Sequence, residues 1–202
     1  IDDVMRRIPG VQSTDNSGTA GSAISLNIGV RGLTGRYSPR STVLLDGIPL
    51  AVAPYGQPQL SFAPVSLNNI ESIDVVRGGG AVRYGPQNVG GIINFRSRSI
   101  PEGEGISGDA SVRYNHFSEG DGNRQYSAFV GGTASNGLGV ALMYSGMEGA
   151  EWRQGSDERV NDVAIKFRYP LNSHSEVYGK ATYYDVLSRT PGGLTVAQYK
   201  AD

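Results

Sequence analysis

The sequence contains no cysteine, which removes disulfides, thiolate metal sites and thiol nucleophiles together. Histidine is nearly absent as well. His116 and His174 lie far apart in unlike contexts and do not suggest an iron site. No apolar run reaches the roughly 18 residues of a membrane-spanning helix, and no charged-then-apolar leader opens the chain. Membrane-crossing strands survive both absences, because they are short, alternating and invisible to a hydropathy window. Basic excess is missing too: the formal net charge is -1, which argues against a general nucleic-acid surface. Lysine is absent from residues 1 to 100, where the basic groups are Arg6, Arg7, Arg31, Arg36, Arg40, Arg77, Arg83, Arg96 and Arg98. Arginine offers a planar fork suited to carboxylates and phosphates, or to buried ion pairs.

What is abundant is glycine, at 29 residues, and tyrosine, at 11, against a hydrophobic fraction of only 38%. The stretch VVRGGGAVRYGPQNVGGIINF, residues 75 to 95, concentrates the glycines. It is not a phosphate-binding loop, since it offers neither G-x-G-x-x-G nor a closing Gly-Lys-Ser/Thr. No G-x-S-x-G, paired-histidine metal motif or Ser-His-Asp arrangement appears elsewhere, so no catalytic residue, metal ligand or cofactor is expected and the chain does not read as an enzyme.

Two halves follow different rules. Residues 1–100 read as a compact α+β domain with a mixed sheet. A helix over Asp2 to Arg7 is stopped by Pro9-Gly10, and a polar stretch follows from Gln12 to Ser25. Strands are expected at Leu26–Val30, Thr42–Leu45, Ile73–Val76 and Gly91–Phe95. Asp46-Gly47 between VLL and IPL is a hairpin signal, and Pro64–Ile70 is the other helix candidate. Positive φ is expected in Gly78 to Gly80, and close strand approach at Gly90-Gly91.

Residues 101–202 alternate in about five segments. Ala110, Val112 and Tyr114 share a face, as do Tyr126, Ala128 and Val130. So do Leu138, Val140, Leu142 and Tyr144; Val163, Ile165, Phe167 and Tyr169; and Val177, Ala181 and Tyr183. Arg113, Asp162, Lys166, Arg168 and Lys180 fall on the opposite faces. Ala134–Gly137 and Pro170–Ser175 are short connections, whereas Ser145–Glu158 and the chain from Ser188 onward read as longer polar loops. Glu119–Asn123 breaks this alternation by being short. A soluble β-sandwich alternates equally well. The segregation of charge favours lipid-facing and lumen-facing surfaces of a transmembrane β-barrel with tight periplasmic turns. An open sheet edge in lipid leaves backbone groups unpaired, so five strands are expected to be part of a larger barrel. The chain also begins and ends without a terminal signature and reads as a piece of a longer protein.

The motifs RRIPGV (6–11), IGVRGL (28–33), TVLLDGIPL (42–50) and the 75–95 stretch resemble, in order, the plug-domain signature of TonB-dependent outer-membrane receptors. The resemblance covers the whole chain. It implies a plug over residues 1–100 and the first strands of a barrel, of 22 strands when intact, over residues 101–202, in the outer membrane of a Gram-negative bacterium. Within that family the likeness is to members that take up ferric citrate, through RSTVLLDGIPL, APYGQPQLS, APVSL, IDVVRGGGAVRYGPQ, VGGTASNG and ALMYSG. It carries ligand contacts onto Thr19, Arg31, Gln57, Gln59 and Arg77, and less firmly onto Arg36, Arg40, Arg83, Trp152 and Arg153. The partners implied are Fe(III)-citrate, outer-membrane lipid and TonB, whose contact segment would precede residue 1. The residues alone leave two alternatives: another siderophore or anionic chelate as ligand, and plug arginines that pair with acidic residues of the barrel wall. A soluble adhesin or carbohydrate-binding β-domain is the competitor from another class.

Overall fold

The computed structural model describes residues 2–13, 28–30, 41–50, 64–77, 90–118, 120–152, 155–189 and 195–201. A one-turn helix α1 (Asp2–Met5) leads into β1 (Val11–Ser13), which pairs antiparallel with β2 (Ile28–Val30). The central sheet comprises β3 (Ser41–Leu45), β4 (Ile48–Pro49), β5 (Ile70–Val76) and β6 (Gly91–Ser97), in the order β4-β3-β6-β5. It is mixed, with β3 and β6 parallel and the other two pairings antiparallel.

The central position of β6 explains its sequence. Flanked on both edges, Gly-Ile-Ile-Asn-Phe runs apolar rather than alternating, as a strand covered on both faces must. Ile93 and Phe95 are fully buried with Met5, Val11, Val30 and Val43 in the main core. Gly91 (φ 132°) sits where a Cβ would lie 2.5 Å from the Val76 carbonyl oxygen; close strand approach there requires glycine. The Asp46-Gly47 hairpin is also as expected, with φ of 50° and 81° at its two central residues, the left-handed pair that matches strand twist. Gly78 to Gly80 lie outside the described residues.

The second sheet is a meander of five antiparallel strands: β7 (Gly105–Asn115), β8 (Asn123–Thr133), β9 (Gly139–Gly149), β10 (Glu158–Asn172) and β11 (Ser175–Ser188). Registers place Val112 beside Tyr126, Val130 beside Leu142, Leu142 beside Ile165, and Ile165 beside Ala181. The apolar residues therefore form continuous rows on one face. That face is exposed, with Ile106 at 85% and Val112 at 83%, while the opposite face holds buried Asp162 and Lys166 at 7% and 5%. Short connections, 134–138 and 173–174, join one end of the sheet; 116–122 and 150–157 join the other.

Several local expectations are corrected. The helix at 2–7 ends at Met5, and the Pro64–Ile70 candidate is a single 3-10 turn at Leu67–Asn69. β1 occupies the start of the stretch expected to be polar loop, because Val11 buries into the core. β9 continues to Gly149, which shortens the following loop. The segment after β11 contains a helix α2 (Val196–Ala201), whose start is fixed by reciprocal hydrogen bonds between Thr195 and Gln198.

Candidate functional site

Arg77 is the one expected ligand residue within the described residues; Thr19, Arg31, Gln57 and Gln59 lie outside them. Pairing of Ile70 with Ser97 and of Val76 with Ile92 puts Arg77 just past the end of β5 farthest from Ser97. It is exposed and forms no ion pair among the described residues. Its guanidinium lies beside Gly10 (φ 75°), where a Cβ would come 3.6 Å from Nη1. Val11 pairs with Val30, so the residue after Gly10 adjoins the residue preceding Arg31. The backbone thus brings the entry to Arg31 and the Arg77 fork to one end of the plug.

Among the less firm candidates, Arg36, Arg40, Arg83 and Arg153 lie outside the described residues. Trp152 is half-exposed in the 150–157 connection. That connection packs against 116–122, where a Cβ on Gly120 would lie 2.6 Å from the Glu151 carbonyl oxygen. His116 stacks on Tyr114 at the long-loop end, and His174 accepts or donates a bond with Ser173 in the short 173–174 turn. The two imidazoles stand at opposite ends of the sheet.

At the other end of the plug, the structure assembles a polar contact that the motifs did not announce. Asp46, at the β3–β4 turn, pairs with Lys180 of β11. Its carboxylate also accepts hydrogen bonds from the Ser97 amide (2.8 Å) and hydroxyl (2.5 Å). Burial pushes the Asp46 carboxyl up, but the bonds from Lys180 and Ser97 outweigh it and hold the pKa below the ordinary 3.8. Lys166 Nζ donates to the carbonyls of Ser97 (3.0 Å) and Arg98 (2.9 Å), and so terminates β6 on the wall. Ser66 and Asn69 hydrogen-bond Asp162.

Arg98 grips Asp109 of β7 with both Nη atoms, at 2.9 and 2.5 Å, and stacks 3.8 Å above the Phe129 ring. The bond to Asp109 raises its pKa. Among the described residues, the plug arginine that pairs with a wall carboxylate is Arg98. Glu71 accepts bonds from the Ser99 amide (2.9 Å) and hydroxyl (2.6 Å), which lower its pKa. A cavity of about 270 Å³ remains between hairpin and wall, bordered by Asp46, Ser97, Asp162, Lys180, Thr182 and Tyr184.

The arrangement separates two tasks. One end of the plug is fixed to the wall by a partly buried ion pair, an exposed one and capped carbonyls; the other presents the exposed Arg77. Lys166 and Lys180 were legible as inward charges of alternating strands, and Asp46 as a turn residue. Their meeting was not, because 134 residues separate Asp46 from Lys180.

Comparison with known proteins agrees with this architecture. Residues 1–92 match the family model of the TonB-dependent receptor plug domain. The structure of the ferric citrate transporter FecA in its unliganded form superposes with a TM-score of 0.86 at 48% identity, over 100% of this chain and 31% of that one. The vitamin B12 transporter BtuB of Photobacterium profundum is 31% identical over 80% of this chain and 25% of its own length. A ferric enterobactin receptor mutant, PfeA, from Pseudomonas aeruginosa shares the fold at a TM-score of 0.69 and 20% identity, over 91% of this chain and 30% of that one. The chain thus spans about a third or less of the length of these relatives.

Proposed function

Because this chain belongs to the TonB-dependent receptors of the Gram-negative outer membrane, we propose that the intact protein imports ferric citrate. The observation that carries the ligand is the 48% identity to the ferric citrate transporter across the whole chain, against 31% to the vitamin B12 transporter.

The chemistry of the proposed contacts suits that cargo. Ferric citrate is a polyanion whose iron is already wrapped in carboxylate and hydroxyl oxygens. Its receptor needs cationic forks and amide donors, not metal ligands. Arg31 and Arg77 would supply the forks, Gln57 and Gln59 the amides and Thr19 a hydroxyl. Arg77, exposed beside Gly10, would meet a ligand arriving from the long-loop side. Loading would favour a plug state that TonB engages from the periplasm, and energy would enter through TonB because the outer membrane holds no usable ion gradient. The Asp46–Lys180 and Arg98–Asp109 contacts supply the fixed end against which such a shift is made.

Calorimetric titration of the intact receptor tests the reading. Ferric citrate should bind, whereas metal-free citrate and an unrelated siderophore should bind weakly or not at all. Loss of one charge-assisted contact in Arg77→Ala should cost about 2 kcal/mol, roughly thirtyfold in affinity. Arg77→Lys should recover only part of it, because an ammonium cannot form the fork. Equal affinity for the unrelated siderophore overturns ferric citrate as the ligand; unchanged affinity in an Arg31→Ala/Arg77→Ala double variant removes the site.

A further inference from the structure

The outward face of the wall carries a gap that its side chains leave unfilled. Four outward glycines, Gly108, Gly132, Gly146 and Gly179, share this face. Two are roofed from the neighbouring strand: a Cβ at Gly146 would collide with the Tyr126 ring, and one at Gly179 with the Phe167 ring. Aromatic cover of this kind restores packing that a strand glycine lacks. Gly132 has none. Its cross-strand neighbours are Ile106 on β7 and Val140 on β9, two aliphatic walls with a missing side chain between them.

The result is an apolar groove of about 570 Å³ over Gly132. Its inner end is closed by Val130 and Leu142, which pair in register. The outer end opens at the short-connection rim of the sheet, at Leu138 and Glu104. Glu104 is exposed and has no ion-pair partner among the described residues. Short connections mark the periplasmic side of such a wall. A slot that is apolar along its length, blunt at one end and carboxylate-edged at the other fits an amphiphile with a cationic head.

We propose that the groove over Gly132 binds one acyl chain of a periplasmic-leaflet phospholipid whose headgroup bears a primary ammonium, with Glu104 as the headgroup's partner. The acyl chain replaces the side chain that Gly132 lacks, and its burial between Ile106 and Val140 supplies most of the affinity. Glu104 supplies the preference for headgroup. An exposed ion pair is weak, so that preference is about threefold. The inference rests on the sheet facing lipid, and is independent of the ligand carried by the plug.

The test uses the full-length receptor in detergent, with bound lipid counted by native mass spectrometry during titration with phosphatidylethanolamine or phosphatidylglycerol. The wild type should retain phosphatidylethanolamine about threefold better. Glu104→Gln should bind both equally while keeping the acyl chain. Gly132→Val is a poor probe, since its Cβ would collide with the Gly105 carbonyl oxygen. Val140→Phe instead lays a ring over Gly132, as Phe167 does over Gly179, and should lose the bound lipid at an unchanged melting temperature. Equal retention by wild type and Val140→Phe overturns the groove; equal retention of the two lipids by the wild type overturns the headgroup assignment. A receptor that stays monodisperse without detergent overturns the membrane reading instead, so the failures are distinguishable.

Discussion

The plug sheet and the wall sheet are built from similar strands and bury opposite chemistry. In the plug, Ile93 and Phe95 have no exposed surface; in the wall, Ile106 and Val112 are almost wholly exposed while Lys166, Asp162 and Glu158 are nearly inaccessible. A soluble protein rarely shows both halves of that wall pattern together, because Lys, Asp and Glu are seldom so inaccessible on a face opposite a large apolar patch left in water. Lipid outside and a polar plug inside satisfy both halves at once. The same period of two thus encodes an inside that is apolar in one sheet and charged in the other. The solvent on the far side decides which.

The largest effect that could sharpen this contrast lies in the plug core. Phe95→Ala should destabilise the plug by about 4 kcal/mol, read as earlier chemical unfolding of the full-length receptor in detergent. Val112→Ala, which removes two methyl groups from an exposed wall position, should leave the unfolding curve unchanged. If Val112→Ala cost as much, the outward face would be covered by protein and the contrast would fail. Next comes Ile165→Arg, near the middle of β10. A lipid-facing arginine at mid-depth costs about 3 kcal/mol, whereas a water-facing one would cost nothing measurable. Yield of folded receptor in membranes and its unfolding midpoint separate the two cases.

A smaller effect is expected where the sheets meet. Lys180→Met leaves the half-buried Asp46 carboxylate with only Ser97 as a partner. Breaking one member of a buried pair is expensive, and partial exposure here reduces the cost to about 2 kcal/mol. Hydrogen exchange should report it locally, as faster exchange in the β3–β4 hairpin with β1–β2 unaffected. Uniformly faster exchange across the plug would mean that the contact supports the whole domain rather than one end.

Much of this contrast is legible in residue order. Alternation of Val163, Ile165 and Phe167 against Asp162, Lys166 and Arg168 assigns the two wall faces, and Asp46-Gly47 specifies a hairpin whose φ angles the structure reproduces. Both are local signals, set by strand period and by left-handed backbone preference. What residue order does not encode visibly is partnership at a distance. Lys180 could have met any plug carboxylate, and Arg77 reads as well as Arg98 for a wall ion pair; the fold, not the motif, selects Arg98 and Asp109. Strand ends are hard to read for a related reason. Ser145–Gly149 carries little apolar signal, yet its backbone pairs in register with β8 and β10. The ligand residues proposed from family motifs, Thr19, Arg31, Gln57 and Gln59, fall outside the described residues, and Arg77 alone is positioned.

The smallest effect concerns acid, and it distinguishes the fixed end of the plug from the free one. Asp46 has a folded pKa below its ordinary 3.8. Its ionised form is therefore favoured by folding, and the contribution is complete above that value and lost as pH falls through the folded pKa. From pH 7 to about 5 the β3–β4 hairpin should hold its exchange protection unchanged, and loosening should begin only below the ordinary carboxylate range. The size is under about 1 kcal/mol, because the surrounding groups screen part of the pair. Asp46→Asn supplies the control: without a titrating carboxylate its hairpin should show lower protection and no added step in acid. Arg77 at the opposite end has no acidic partner among the described residues, so the plug end beside it should show no step at Asp46's pH. Hairpin loosening already at pH 6, or an identical acid step in Asp46→Asn, would mean that a titrating group other than Asp46 governs this end of the plug, and would remove the Asp46 carboxylate as the source of its acid response.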